Sequence, residues 1–183
     1  MLFHTSIALT YIICSKFTFL MIYPLLLQIK LWAKINEVSA SGKMETHFSN
    51  YALIILILFY MMNESKVIPS VKELRILDHN SVSGNGKKCE FITDENNFNF
   101  YGSNNSKILD QVSGFFKYYK NFNFSDSVIC PLDGSYSCRD LSLPLSFLCQ
   151  ENSKTVDTAI ILQDPFETER NLTRQMQRPA VQR

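Results

Sequence analysis

Apolar residues recur in three distinct patterns along this chain, and each predicts a helix. In the stretch PLLLQIKLWAK, residues 24–34, Leu25, Ile29 and Trp32 fall on one stripe at helical spacing. Pro24 suits the first turn, where its missing N–H costs nothing. Lys30 and Lys34, four residues apart, share another face. From about Asn50 to Met62 the sequence NYALIILILFYMM is apolar all round, the mark of a buried helix, with Ser49 or Asn50 as its cap. The third stretch, SKILDQVSGFFKYYKNF, is amphipathic. Ile108, Val112, Phe115 and Tyr119 form its stripe, Leu109 and Phe116 widen it, and Ser106 is placed to cap it.

Strand signals are shorter. FNFSDSVIC reads as a strand entered through a turn, and Cys89 to Thr93 as a short strand. TAIIL reads as a buried strand that stops at Asp164-Pro165-Phe166. Pro165 cannot continue a ladder and pushes Asp164 into an extended shape, while Phe166 can plug a core. Residues 36–46, 79–88 and 131–155 read as loops, and TERNLTRQM as a final, partly exposed helix. The expected fold class is mainly α with a small β component (α+β). Residues 1–21 form an unassigned hydrophobic N-terminal segment, 22–176 the main unit and 177–183 a tail.

Composition narrows the choices. Charged residues are 19% of the chain and the net charge is +1, so no bulk field points to nucleic acid or an anionic membrane, and contact with either must be local. Five cysteines form no CxxC pair and no zinc spacing, which favours reduced, mostly buried thiols. Lys16 and Pro24 interrupt the N-terminal apolar run, and residues 51–62 are too short to cross a bilayer, so a membrane span is not expected.

Several residue types could carry chemistry. Two ammonium groups one helical turn apart, Lys30 and Lys34, can reach neighbouring phosphates, although a solvated helix face is the plainer reading. A helix opening on Asn50-Tyr51 offers N–H groups to an anion and a ring to a base, or is a cap beside a core tyrosine. Gly134-Ser135 lacks the context of a phosphate loop and reads as a turn. His4, His47 and His79 have no partner motif, and no Asp-x-Asp pair lies on a strand to hold Mg²⁺.

Four stretches taken together resemble a known family. YPLLLQIKLWAK, FSNYALIILILFYMM followed by VIPSVKEL, ILDQVSGFFKYYKNFNFSDSVI, and IILQDPFETERNL follow one another as in the template-independent RNA nucleotidyltransferases. The resemblance covers the central helical domain and the poly(A)-polymerase-associated segment, in the mitochondrial poly(A) polymerase branch. It implies transfer of adenylates from ATP to an RNA 3′ end, with Mg²⁺ (or Mn²⁺) at the catalytic centre, ATP and RNA as partners, homodimers in some relatives, and a mitochondrial location. It also implies that Lys30 and Lys34 contact the triphosphate, that Asn50 contacts phosphate and Tyr51 stacks on the base, and that Asp164 approaches the base from the far side. Uridine-preferring relatives carry a His shortly after their Asp-Pro-Phe; Arg170 stands there in this chain. The family's catalytic constellation, a Gly-Ser motif with an Asp-x-Asp pair and a third carboxylate, is not found in this sequence, so no residue is expected to be catalytic. A nucleotide-contacting fragment, inactive alone, is the expectation. A non-enzymatic RNA- or polymerase-binding module and a small membrane-anchored protein are the alternatives.

Overall fold

A computed structural model describes residues 16–39, 47–66, 68, 70, 83–84, 87–88, 107–138, 158–165 and 167–176. Three helices, α1 (Lys16–Ile35), α2 (Asn50–Asn63) and α3 (Ile108–Asn121), pack on one another beside a small sheet. Strands β1 (Ser83–Gly84) and β2 (Lys87–Lys88) pair antiparallel in the segment expected to be loop, with two residues, Asn85 and Gly86, between them. Asn-Gly is the pair that two-residue hairpin connections favour. Strands β3 (Ser127–Cys130), β4 (Ser135–Cys138) and β5 (Ile161–Leu162) form a second sheet in the order β4-β3-β5. The expected α+β class is the observed one.

Helix α2 is the centre of the core. Ala52, Leu53 and every residue from Ile55 to Met61 are buried, as an all-round apolar sequence demands. Its start is fixed by Ser49, whose Oγ accepts the Ala52 N–H at 3.0 Å. Against it α1 buries Ile22, Leu25, Leu26, Ile29 and Ala33. The stripe is therefore centred nearer Ala33 than Trp32. Trp32 sits at the edge of this face, edge-on to Phe116 of α3 at 4.6 Å. On the opposite side of α1, Tyr23, Leu27, Leu31 and Ile35 are exposed.

Pro24 lies inside α1 rather than in its first turn, since the helix already runs from Lys16. A proline there removes one hydrogen bond to the preceding turn. Its place on the exposed side keeps that loss away from the core.

Helix α3 contributes aromatic rings. Phe115 is buried and Tyr60 meets it edge-on at 5.8 Å, while the Tyr119 hydroxyl donates to the Leu56 carbonyl of α2 at 2.6 Å. The buried polar residue Gln111 joins Phe115 on the covered face, whereas Leu109, assigned to the stripe from sequence, is 74% exposed. The capping position is Lys107, with no side-chain cap bond; Ser106 lies outside the described residues, as do Cys89 to Thr93 and Phe166.

Two sequence expectations fail near the C-terminus. The loop assigned to 131–155 begins with a hairpin: β3 pairs antiparallel with β4 across Pro131 to Gly134, and Gly134 has a φ of +64° that a side chain would strain. Residues 168–176 are not helical. They turn at 168–169, meet the end of β5 at Asn171 and Leu172, whose N–H donates to Leu162 O at 2.8 Å, and turn again over 172–175, so that Ala159 N–H donates to Met176 O at 2.7 Å. Asn171 explains the choice. Its buried Oδ1 accepts the Leu162 N–H at 3.1 Å, the Thr173 N–H at 3.0 Å and the Thr173 hydroxyl at 2.9 Å. A side chain that answers backbone donors in this way competes with a helix ladder.

Gly114 of α3 faces the Tyr60 side chain of α2, and a Cβ there would collide with the Tyr60 hydroxyl. Gly114→Ala should destabilise the protein by about 1–3 kcal/mol, overriding the ~1 kcal/mol that alanine gains in a helix. Adding Tyr60→Phe, which deletes the obstructing oxygen, should recover most of that loss in urea unfolding.

Candidate nucleotide-contact site

The end of β5 meets the start of α2. Strand β5 runs parallel to β3, in register Val128↔Ile161 and Ile129↔Leu162, and all four residues are buried. Beyond it Gln163 N–H still donates to Ile129 O at 3.0 Å, and then Pro165 ends the ladder. The chain arrives at Asp164 with no freedom left. Its N–H donates to Arg170 O at 2.9 Å, and Arg170 N–H donates to Glu167 O at 2.8 Å, which closes the turn from 164 to 170.

The Asp164 carboxylate is completely buried. Oδ1 accepts the Tyr51 hydroxyl at 3.3 Å and the Glu167 N–H at 3.2 Å. The Arg170 guanidinium stands 4.0 Å from Oδ2 and 3.4 Å from Glu167 Oε2. Tyr51 itself is half-buried in the first turn of α2. Burial, and next the Asp164 charge, push its phenol far above the ordinary tyrosine range. Burial does the same to Tyr119, and with help from Tyr136 and Glu64 it raises Tyr118 to about 12.

Of the five residues assigned from sequence, the structure joins two directly: Tyr51 and Asp164, 113 residues apart in the chain. Asn50 is exposed beside Tyr51 at the helix start. Lys30 and Lys34 are both exposed on α1, on the flank that also carries Tyr23 and away from the flank where Trp32 meets α3. Glu167 was missed from sequence, and Arg170 was noticed only as a departure from uridine-preferring relatives. A turn that folds back on its own aspartate is a local signal for both.

The arrangement offers a phenol ring fixed in direction at a helix N-terminus and, on another helix, two mobile cations. That combination suits a base and its phosphates. Among the described residues no three His, Cys, Asp or Glu side chains converge. These residues therefore offer no ligand set for the Mg²⁺ that the resemblance implies. Among the same residues no helix is long and apolar enough to cross a membrane.

Comparison with known proteins relates the sequence and the fold to polymerases. Residues 111–170 match the model of the Cid1 family poly A polymerases. Over 165 residues the chain is 24% identical to the mitochondrial poly(A) RNA polymerase of Mus musculus, covering 87% of this chain and 25% of that protein. Over 144 residues it is 28% identical to the speckle targeted PIP5K1A-regulated poly(A) polymerase of Danio rerio, covering 74% and 17%. The chain is similar to the poly(A) polymerases among the nucleotidyltransferases. Its fold is shared with the crystal structure of mtPAP in complex with GTP, at a TM-score of 0.66 and 19% identity over 85% of this chain and 30% of that one. It is shared also with the Cid1 poly(U) polymerase, at 0.60 and 24% over 84% and 45%. The chain thus spans a quarter or less of these curated polymerases. The 111–170 match includes α3, the β3–β4 hairpin, β5 and the corner at Asp164. That corner therefore lies within the segment that matches the family model.

The raised phenols fix the sign of an alkaline effect. Unfolded tyrosines ionise near about pH 10, whereas the folded protein holds these protons longer. Their stabilisation is complete below about pH 10 and is lost as pH rises toward the folded values, by about 1.4 kcal/mol per pH unit for each retained proton. Unfolding midpoints measured across this range should fall accordingly. With Asp164→Asn the phenolate absorbance of Tyr51 should appear at lower pH, because the neighbouring charge is gone.

Proposed function

We propose that residues 22–176 form the nucleotide-contacting wall of a polynucleotide adenylyltransferase. In this reading Lys30 and Lys34 hold the triphosphate of ATP as point charges, Asn50 adds a phosphate contact, and Tyr51 stacks on the base with Asp164 behind it. The reaction served is attack of an RNA 3′-hydroxyl on the α-phosphate of ATP with loss of pyrophosphate. The carboxylates that bind the metal are supplied from outside these residues, so the chain positions substrate and does not itself turn it over. Positioning is a large share of catalysis in phosphoryl transfer, which gives such a wall a defined task.

The observation that supports this most is the Tyr51–Asp164 hydrogen bond. It fixes an aromatic ring at the start of a helix in a protein whose fold is that of polymerases crystallised with GTP, CTP, UTP and ATPγS. ATP as the nucleotide follows from the poly(A) relatives and from Arg170 in place of the His of uridine-preferring ones. A mitochondrial location belongs to the same reading, supported by the mitochondrial relatives and opposed by the speckle-targeted ones.

Calorimetric titration tests the proposal. The chain should bind ATP more tightly than inorganic tripolyphosphate, and Tyr51→Ala should remove that advantage, a loss of about 1–3 kcal/mol for one stacked base. Lys30→Ala with Lys34→Ala should weaken both ligands together and flatten the salt dependence. Equal affinity of the intact chain for ATP and tripolyphosphate would refute a base contact. Tail synthesis on an RNA primer by this chain alone would refute the division of labour.

A further inference from the structure

Helix α1 presents an apolar ridge to solvent. Leu27, Leu31 and Ile35 follow one another at intervals of four residues and are 49%, 55% and 70% exposed. Side chains spaced this way form one ridge, here about 12 Å long. The residues that α1 gives to the core, Ile22, Leu25, Leu26, Ile29 and Ala33, lie on its other side. Lys30 and Lys34 run along one edge of the ridge. Each stands three residues after a ridge leucine, Leu27 and Leu31 respectively, and so beside it on the helix surface. Both lysines are exposed. The helix carries three lysines and no Asp or Glu, in a chain whose net charge is only +1. An apolar ridge with a cationic edge therefore stands on an element that has no acid of its own.

We propose that this ridge is the docking seam for an amphipathic helix of another polypeptide, one whose apolar stripe is edged with carboxylates on the side that meets Lys30 and Lys34. A ridge of four-residue spacing fits the groove of a second helix. Carboxylates opposite the lysines fix the orientation and register of the pair and reject partners edged with cations. Two other occupants suit the face less well. A bilayer takes up a broad apolar sector whose charges lie opposite, whereas the side of α1 opposite the ridge is packed into the core. A second copy laid antiparallel sets Lys30 and Lys34 against themselves. Laid parallel, it leaves them no acid to meet, since α1 has none. The docking stands apart from the nucleotide-contact reading, but one consequence rests on that reading. A docked helix and a triphosphate draw on the same two ammonium groups, so each weakens the other.

Fluorescence anisotropy on the full chain tests the seam. The probe is a synthetic helical peptide about 20 residues long, with a leucine stripe edged by glutamates, and the control carries lysines in their place. The glutamate peptide should bind, and the control should bind about tenfold more weakly or worse. Leu27→Gln with Leu31→Gln should weaken the glutamate peptide by about tenfold or more. Both side chains are exposed, so circular dichroism and Trp32 emission should stay unchanged. Lys30→Gln with Lys34→Gln should narrow the gap between the two peptides by about threefold to tenfold. Equal binding of both peptides, or binding indifferent to the leucines, would overturn the proposal. So would a chain that ignores the peptide yet self-associates, or sediments with phosphatidylglycerol vesicles, through the same leucines. Inorganic tripolyphosphate should displace the glutamate peptide. A peptide held through the leucines that tripolyphosphate does not displace would uphold the seam while refuting the assignment of Lys30 and Lys34 to a triphosphate.

Discussion

A carboxylate with no exposed surface has to be answered by the protein, and in this chain the answer joins two distant parts. Leaving such a group unmatched is among the larger penalties a fold can carry. Asp164 meets it with a hydroxyl from the first turn of α2, a backbone N–H from its own turn and a guanidinium beyond. The position of the sheet's end and the orientation of Tyr51 are consequently one fact. Moving either would strand the other, so the corner is stiff where the nucleotide reading needs stiffness.

What makes the corner affordable is the packing beneath it. Helix α2 is covered along its middle by α1, by the rings of α3 and by the small sheet, which leaves its two ends as the places where it meets water. Ser49 caps the N-terminal turn, so Asn50 and Tyr51 begin the helix in a defined direction. On the other side Asn171 ties residues 171–173 to β5, which holds the Asp164 turn from behind. One buried amide and one capping hydroxyl thereby place the two members of the Tyr51–Asp164 pair.

The helices were legible in the sequence because each carries a long apolar signature. Residues 50–62 are apolar all round, and residues 108–121 carry a stripe at helical spacing. The errors arose where a side chain decided the backbone. TERNLTRQM has helical composition, yet Asn171 supplies acceptors that hold it at the end of β5 instead. Leu109 matches the stripe by spacing but lies in the first turn of α3, where little covers it. Pro24 looked like a beginning because local rules place proline there, whereas the chain before it was already helical. Tyr51 and Asp164 were found by resemblance, and their contact across 113 residues is beyond the reach of any local pattern. For the glutamate and arginine that follow the aspartate, the turn was a local signal, but nothing in a run of charges tells which one will face the buried partner.

The two sides of the proposed site differ in kind. Lys30 and Lys34 stand in solvent, on flexible stems that carry about 2 kcal/mol of rotamer entropy each and whose attraction for phosphate is screened by salt. Such groups follow a triphosphate wherever it lies and read little about the base attached to it. Tyr51 is the reverse: half-buried, hydrogen-bonded and backed by a charge. Ordering it costs little at the moment of binding, so its contribution survives as discrimination between a nucleotide and bare phosphate. Affinity that varies with salt should therefore belong to α1, and preference for a base to the junction of α2 with β5. The physical origin of that split is burial: the same removal from water that opposes the phenol's ionisation also removes the freedom that would blur its aim.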